Sequence, residues 1–116
     1  MATVKINQKT YQVPELTFEH SLIMEQVGLP LAEITSLKRI MTAVSAFTMI
    51  VAKCDQDYAA HLVQQHVMGG GDILDIYKAY ADAIKDSGFF KQMLLEMKQE
   101  EEEPVKKSSA KTGQKS

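Results

Sequence analysis

The sequence predicts a mainly α protein, in which a short N-terminal β-hairpin precedes a compact bundle of about four to five helices and a disordered polar C-terminal tail. Residues 3–13 alternate between apolar and polar side chains, which is the period of a strand. Further along, apolar residues recur at helical spacing between glycines. From Pro104 onwards the chain has almost no large hydrophobic residue with which to build a core. We therefore predict one helical domain with its hairpin at residues 1–99 and a charged disordered tail at residues 100–116.

Length and composition narrow the classes of function. The 116 residues fit a single domain with a tail, and a hydrophobic content of 45% is typical of a folded globular protein. The net charge is −2 and basic residues dominate no large folded segment, which argues against a nucleic-acid partner. The longest apolar stretch, residues 40–52, is too short and too mixed to span a membrane. The N-terminus lacks the apolar core of a signal peptide and Cys54 is the single cysteine, so we expect a soluble cytoplasmic protein.

The hairpin is the first predicted element. Its strands are predicted from four apolar residues that alternate with polar neighbours, namely Val4, Ile6, Tyr11 and Val13. The tetrapeptide NQKT between them is expected to form the turn. Asn7 tolerates a left-handed backbone, whereas Gln8 is less suited to it than glycine. Pro14 has no N–H for a ladder, so it should end the second strand.

Two helices are predicted after the hairpin. The first begins with Thr17 as its N-cap and ends before Gly28, which is well placed as a C′ glycine. Its apolar side is assigned to Phe18, Leu22, Ile23 and Val27. A connector with one helical turn leads to a second helix at about residues 36–53, which is apolar on most sides and should be central to the core. The apolar residues that recur at helical spacing along it are Leu37, Ile40, Met41, Val44, Phe47, Ile50 and Val51.

Three more helical segments follow. Asp55 is the predicted N-cap of the third helix, which the glycines at 69–71 end, and Asp72 is the predicted N-cap of the fourth. The expected inward-facing residues are Tyr58, Leu62 and Val63 on the third helix, and Ile73, Ile76, Tyr77, Tyr80 and Ile84 on the fourth. Gly88 is interpreted as the C′ glycine of the fourth helix. Helical character resumes in the stretch FFKQMLLEMKQEEEE.

The three consecutive glycines raise the question of a phosphate-binding loop. A Walker-type loop has a lysine after its last glycine, and here Asp72 follows instead. The Asp72 carboxylate would occupy the positive end of the helix, where an anion would otherwise bind. No strand precedes the glycines, as a dinucleotide fingerprint requires. We interpret them as a flexible joint between two helices.

The titratable residues form no recognisable catalytic or metal-binding pattern. His61 and His66 are five positions apart, which places them on different faces of a helix, and His20 is remote. No serine lies in a nucleophile elbow, and no histidine pairs with Cys54 in sequence. The aspartates of the fourth helix are interpreted as its solvated face and cap. We expect no catalytic residues, no cofactor and no metal.

The segment at residues 89–97 is crowded with large apolar side chains just before four consecutive glutamates. These side chains are Phe89, Phe90, Met93, Leu94, Leu95 and Met97. One interpretation is a last helix packed on the core. The other is an apolar surface that binds the helix of another chain, with methionines as adaptable contacts. Both interpretations remain open from sequence, and the second makes these six residues the candidate partner-binding site.

Two stretches together resemble a known family. VKINQKTYQVPELTFEH is similar to the opening of tail assembly chaperones of siphophages, the phages with long non-contractile tails, and of prophages of Gram-positive bacteria. That opening follows the pattern K-I-N-G-K-x-Y-x-x-P-x-L-T-F. The residues that match it are Lys5, Ile6, Asn7, Lys9, Tyr11, Pro14, Leu16, Thr17 and Phe18. GGGDILDIYKAYADAIKDSGFF resembles the glycine joint, helix and E-S-G-F-F ending of the family, the ending being matched by Asp86, Ser87, Gly88, Phe89 and Phe90. The resemblance covers about residues 3–95, and Gln8 departs from it by replacing the turn glycine.

The resemblance implies a function without enzymatic activity. Family members are chaperones that bind the tape-measure protein and keep it soluble until tail-tube subunits polymerise around it, and they are absent from the mature virion. A longer form, made by a ribosomal frameshift, is thought to recruit tube subunits. It implies the host bacterial cytoplasm as location. The alternatives are a small helical DNA-binding regulator or a structural tail protein, and self-association is left open.

Overall fold

The computed structural model describes residues 2–102, with side chains through residue 97. The strands are β1 (Thr3–Ile6) and β2 (Lys9–Gln12), and the α-helices are α1 (Phe18–Gln26), α2 (Ile40–Ala52), α3 (Gln56–Met68), α4 (Ile73–Asp86) and α5 (Gly88–Glu102). Two short 3-10 helices, Leu31–Glu33 and Leu37–Arg39, connect α1 to α2. The predicted fold class, a hairpin followed by a mainly helical body, is confirmed.

The last helix follows the predicted helical stretch FFKQMLLEMKQEEEE. Helix α5 continues into the acidic run as far as Glu102. Glutamate is a good helix former, which explains why the acidic run continues the helix. The rest of the predicted disordered tail, residues 103–116, lies outside the described residues.

The hairpin has a tighter turn than predicted. Thr3 pairs with Gln12 and Ile6 with Lys9 in an antiparallel register, so Lys9 already belongs to β2 and the four-residue NQKT turn is wrong. The turn consists of Asn7 and Gln8 alone, with φ of 51° and 68°. Two left-handed residues are what a two-residue hairpin turn of type I′ requires. Gln8 therefore adopts the left-handed backbone without the conformational freedom of glycine.

Helix α2 occupies the centre of the core, as predicted. It packs against α1, α3 and α4, and its buried side includes Val44, Phe47, Ile50 and Val51. The Phe47 ring meets the Tyr80 ring of α4 edge-on, with centroids 5.9 Å apart. The Tyr80 hydroxyl donates to the carbonyl of Ile34, which satisfies the one polar atom of that buried side chain. Burial, reinforced by Tyr77, raises the pKa of Tyr80.

On α1 and around the start of α2, four residues predicted to face inward are exposed instead. On α1, Phe18 and Leu22 are exposed, while Met24, which the prediction left out, is fully buried. Leu37 is 71% exposed because it lies in a 3-10 helix before α2, and Met41, the second residue of α2, is 70% exposed. The expected α2 stripe therefore starts one turn too early.

On α3 the inward face is also rotated relative to the prediction. Tyr58 is 55% exposed, whereas Ala59, Leu62 and His66 form the buried row. The buried row therefore begins with the small side chain of Ala59, which is fully buried. Asp55 is the N-cap, as predicted, and its Oδ1 accepts from the N–H of Tyr58 at 2.9 Å.

The junction of α4 and α5 is a serine cap and not the predicted glycine cap. Helix α4 ends at Asp86 with Ser87 as its C-cap, and Gly88 is already the first residue of α5. The Ser87 Oγ donates to the carbonyl of Leu16 at 2.6 Å and accepts from the N–H of Phe90 at 3.2 Å. A left-handed glycine is not needed here, because the serine both turns the chain and begins the next helix. The C′ role predicted for Gly28 is confirmed, with φ of 97°.

Candidate partner-binding surfaces

The glycine joint is built around a buried histidine. Gly70 takes a left-handed backbone with φ of 99°, and Gly71 lies directly against the His66 ring. A Cβ on Gly71 would lie 2.5 Å from Nε2 of His66, so only glycine fits that position. Asp72 is the N-cap of α4, as predicted, and its Oδ1 accepts from the N–H of Leu74 at 2.9 Å.

His66 also holds the hairpin turn. Its Nδ1 accepts from the N–H of Asn7 at 2.9 Å, and its Nε2 lies 3.2 Å from the carbonyl of Asp72. These partners define a neutral imidazole that accepts at Nδ1 and donates at Nε2. From the sequence, His66 is expected only to be a helix histidine that is solvated or hydrogen-bonded. No local pattern marks His66 as buried, because both partners come from other elements.

The cavity beside this joint is poorly suited to phosphate. It measures about 480 Å³ and lies between the hairpin and the glycines, with Lys5, Gln8 and Asp75 among its lining residues. Asp72 already occupies the first N–H groups of α4, and Asp75 adds a negative charge. The interpretation of the glycines as a joint between helices agrees with this geometry.

Within residues 2–102, two other classes of site find no support in the geometry. The described side chains contain no group of three or more His, Cys, Asp or Glu residues arranged to hold a metal ion. None of the described helices combines the length and the apolar character that a membrane crossing requires.

The partly buried Cys54 thiol has a pKa raised by burial and by the neighbouring Asp55.

The six candidate partner-binding residues are divided between core and surface. Phe90 is fully buried and anchors α5, and Leu94 packs partly against the core. Phe89 is half-buried, with its ring edge-on to Phe18 at 5.9 Å. Met93 and Met97 are also half-buried, and Leu95 is 57% exposed. Phe90 and part of Leu94 therefore belong to the core, as the first interpretation expects, and partner binding by the accessible residues stays a prediction.

One apolar surface lies where α1 and α5 begin side by side. It is defined by Phe18 and Leu22 on α1 and by Phe89, Met93 and Met97 on α5, and is called the α1–α5 surface below. The exposed fractions of Phe18 and Leu22 are 58% and 42%. Both residues are predicted from the sequence to face inward, so their half of this surface is visible only in the structure.

A second apolar surface was not anticipated at all. A groove of about 340 Å³ runs between α2 and α3 up to the start of α4. This α2–α3 groove is lined by Met41, Ser45, Ala60, Val63, Gln64, Val67, Met68 and Ile73. No charged side chain is among them, and Met41 and Met68 are 70% and 79% exposed. In the sequence, an indication of this groove is the apolar stripe of α2, which is wider than a single core-facing side requires.

No family model matches the chain, and no curated protein or solved structure matches it.

Proposed function

We propose that this protein is a tail assembly chaperone that binds the tape-measure protein and keeps it soluble during phage tail assembly, without enzymatic activity. Support comes from the sequence resemblance over residues 3–95 and from the apolar surfaces that the fold leaves open to water. A chaperone of a long helical protein has to cover apolar side chains without demanding one fixed sequence. An exposed, methionine-bordered groove has that property.

The α2–α3 groove is the observation that carries the proposal. Met41 and Met68 border it from opposite helices, and Val63 and Ile73 contribute to its lining. An amphipathic helix binds such a groove through apolar residues at positions i, i+3, i+4 and i+7. Transfer of one leucine or phenylalanine side chain from water contributes about 1.5–3 kcal/mol, so several anchors are needed for a stable complex. The flexible methionine side chains adapt to different anchors along a repetitive partner.

The proposal includes the setting of this activity. The chain acts in the host bacterial cytoplasm and is absent from the mature virion. A longer form, made by ribosomal frameshifting near the end of the gene, brings tail-tube subunits to the bound tape-measure protein. Sequencing the gene tests this part, because a frameshift requires a slippery heptamer and an overlapping downstream frame.

Co-expression with the tape-measure protein tests the proposal. The long, coiled-coil-rich product of the neighbouring downstream gene is produced with and without this chain, and the soluble fraction and co-elution are measured. Met68→Lys places a charge at the groove border, and the 79% exposure of Met68 predicts that the fold tolerates it. Tyr58→Lys is the matched control, because Tyr58 is also exposed on α3 but does not line the groove.

We expect the native chain and Tyr58→Lys to keep the partner soluble and to elute with it, and Met68→Lys to lose both effects. A partner that stays insoluble in all cases contradicts the chaperone function. Recovery of this chain from purified virions would instead identify a structural tail protein. A gel shift with DNA that weakens with salt would identify a DNA-binding regulator.

A further inference from the structure

The α1–α5 surface begins at a point where two distant parts of the chain are joined. The Oγ of Ser87 donates to the carbonyl of Leu16. Two residues further along each segment, the rings of Phe18 and Phe89 are in edge-to-face contact. From this contact each helix continues a row of apolar residues at four-residue spacing, which places each row on one helix face. Leu22 continues the α1 row. Phe18 and Leu22 of the α1 row are exposed, and Phe89, Met93 and Met97 of the α5 row are half-buried.

The helices that carry this face are strongly acidic. Within residues 15–26 and 88–102 the carboxylates are Glu15, Glu19, Glu25, Glu96, Glu100, Glu101 and Glu102, and the lysines are Lys91 and Lys98. Seven carboxylates against two lysines give these segments a net charge of −5, whereas the whole chain carries −2. The other residues that the structure describes carry seven acidic and seven basic side chains, so the net negative charge of the described chain comes from these two segments.

The charge on α5 lies next to its apolar row. Gln92 and Glu96 each precede a methionine of the row by one position and are exposed, and Gln92 Nε2 donates to Glu96 Oε2 at 3.2 Å. This polar row therefore borders the apolar row along the helix.

We propose that the α1–α5 surface binds a basic amphipathic helix of a partner protein. The apolar rows contact the apolar face of that helix, and the carboxylates of α1 and α5 pair with lysine or arginine residues that flank it. The uncharged α2–α3 groove has no such preference for cationic flanks. This inference stands without the tape-measure protein as partner, so it is tested with a defined peptide.

The probe is a fluorescent synthetic peptide of about 18 residues, five helical turns of leucine and lysine arranged as an amphipathic helix. Its twin carries glutamate at every lysine position. Fluorescence anisotropy measures binding of both peptides to the full chain at low and high salt. The surface variants are Leu22→Gln, Met93→Gln and Glu96→Gln, and Met68→Gln in the other groove is the matched control.

We expect the lysine peptide to bind at least about tenfold more tightly than its twin, and its affinity to fall as salt rises. Leu22→Gln and Met93→Gln should weaken binding several-fold, Glu96→Gln should reduce the salt dependence, and Met68→Gln should change neither. Circular dichroism checks the fold of each variant, and the exposed Glu96 provides a test even if an apolar substitution destabilises the domain.

Two results would overturn the inference. Equal affinities for the two peptides would remove the charge preference. Loss of binding in Met68→Gln, with no change in the three surface variants, would assign the peptide to the α2–α3 groove. A failed pull-down of the tape-measure protein alongside a positive peptide result would refute only the proposed function.

Discussion

The backbone N–H of Asn7 donates to Nδ1 of His66 at 2.9 Å, which joins two residues 59 positions apart. This bond attaches the hairpin turn to α3, and the Asn7 side chain adds a second bond, from Nδ2 to Oε1 of Gln65 at 3.0 Å. The turn keeps two left-handed residues, neither of them glycine, at a conformational cost of about 1–2 kcal/mol each. The contact with His66 helps to offset that cost.

Replacement of His66 should therefore destabilise the domain. His66→Ala leaves the Asn7 N–H without its acceptor in a partly buried site, for which we expect a loss of about 1–3 kcal/mol in the free energy of unfolding. Urea denaturation followed by circular dichroism measures this loss. His61→Ala is the control, because His61 is exposed on the same helix. Equal stability of the two variants would show that the histidine does not hold the hairpin.

Gly71 should tolerate no side chain while His66 is present. In Gly71→Ala the new Cβ would meet the imidazole at 2.5 Å, and displacement of the ring should cost about 1–3 kcal/mol. Gly88→Ala is the control, because its Cβ would come no closer than 3.7 Å to Glu15. The double variant with His66→Ala should lose less than the sum of the single effects, because the clash disappears with the ring. Strict additivity in thermal unfolding would contradict this coupling.

Replacement of Ser87 should lower the free energy of unfolding, although its side chain is small. Ser87→Ala removes both the bond to the Leu16 carbonyl and the acceptor for the Phe90 N–H in a fully buried position. We expect a loss of about 1–3 kcal/mol, measured by urea denaturation. Ser21→Ala is the control, since its hydroxyl only bonds the Phe18 carbonyl on an exposed helix face. A Ser87 variant as stable as this control would mean that α5 docks without the cap.

Stability should fall in mild acid through His20. Its Nδ1 accepts from the N–H of Thr17 at 3.0 Å, and burial lowers its pKa below 6.5, although Glu19 partly opposes the shift. The unfolded chain then takes up the proton first, so this contribution is complete above about pH 6.5 and is lost as the pH falls through and below that value. His20→Gln keeps a capping side chain that does not titrate. Its unfolding midpoint should depend less on pH between 7.5 and 5 than that of the native chain, and parallel curves would exclude a role for His20.

Introducing a lysine at Leu94 or at its neighbour Leu95 on α5 should have different effects on stability. Leu94 packs partly against the core, so Leu94→Lys should lower stability by about 1–3 kcal/mol, whereas the 57% exposed Leu95 should tolerate lysine within about 0.5 kcal/mol. Thermal unfolding of the two variants measures the difference. Comparable destabilisation by both would mean that α5 is packed on two sides. Tolerance of both would mean that its middle turn contributes nothing to the core.

Local signals in the sequence predicted the elements and their caps well. Asp55 and Asp72 are N-caps because a carboxylate after a loop satisfies the first N–H groups of the following helix, and that chemistry is visible in a few adjacent residues. The hairpin, the helical order and the central α2 follow from periodicity in the same way. The Gly88 assignment failed because Leu16, which completes the serine cap, is 71 positions away.

The rotation of each helix was less predictable than its existence. Spacing shows that Tyr58 and Leu62 share a face, but the neighbouring helix selects Ala59 and Leu62 as the side that packs. The same limit applies to the candidate surface, where Phe90 and Leu95 lie in one apolar run yet have opposite environments. The α2–α3 groove depends on two helices at once, so no single stretch of sequence contains it.

The hydrogen bond from Ser87 to the carbonyl of Leu16 can form only late in synthesis of the chain. At about 5–20 residues per second, a ribosome needs about 4 to 14 seconds to add the 71 positions that separate them. Within that interval α2 is synthesised before α3 and α4, which pack against it. A message that ends just before codon 87 should therefore yield an aggregating or rapidly degraded chain, even though it encodes the hairpin and the first four helices.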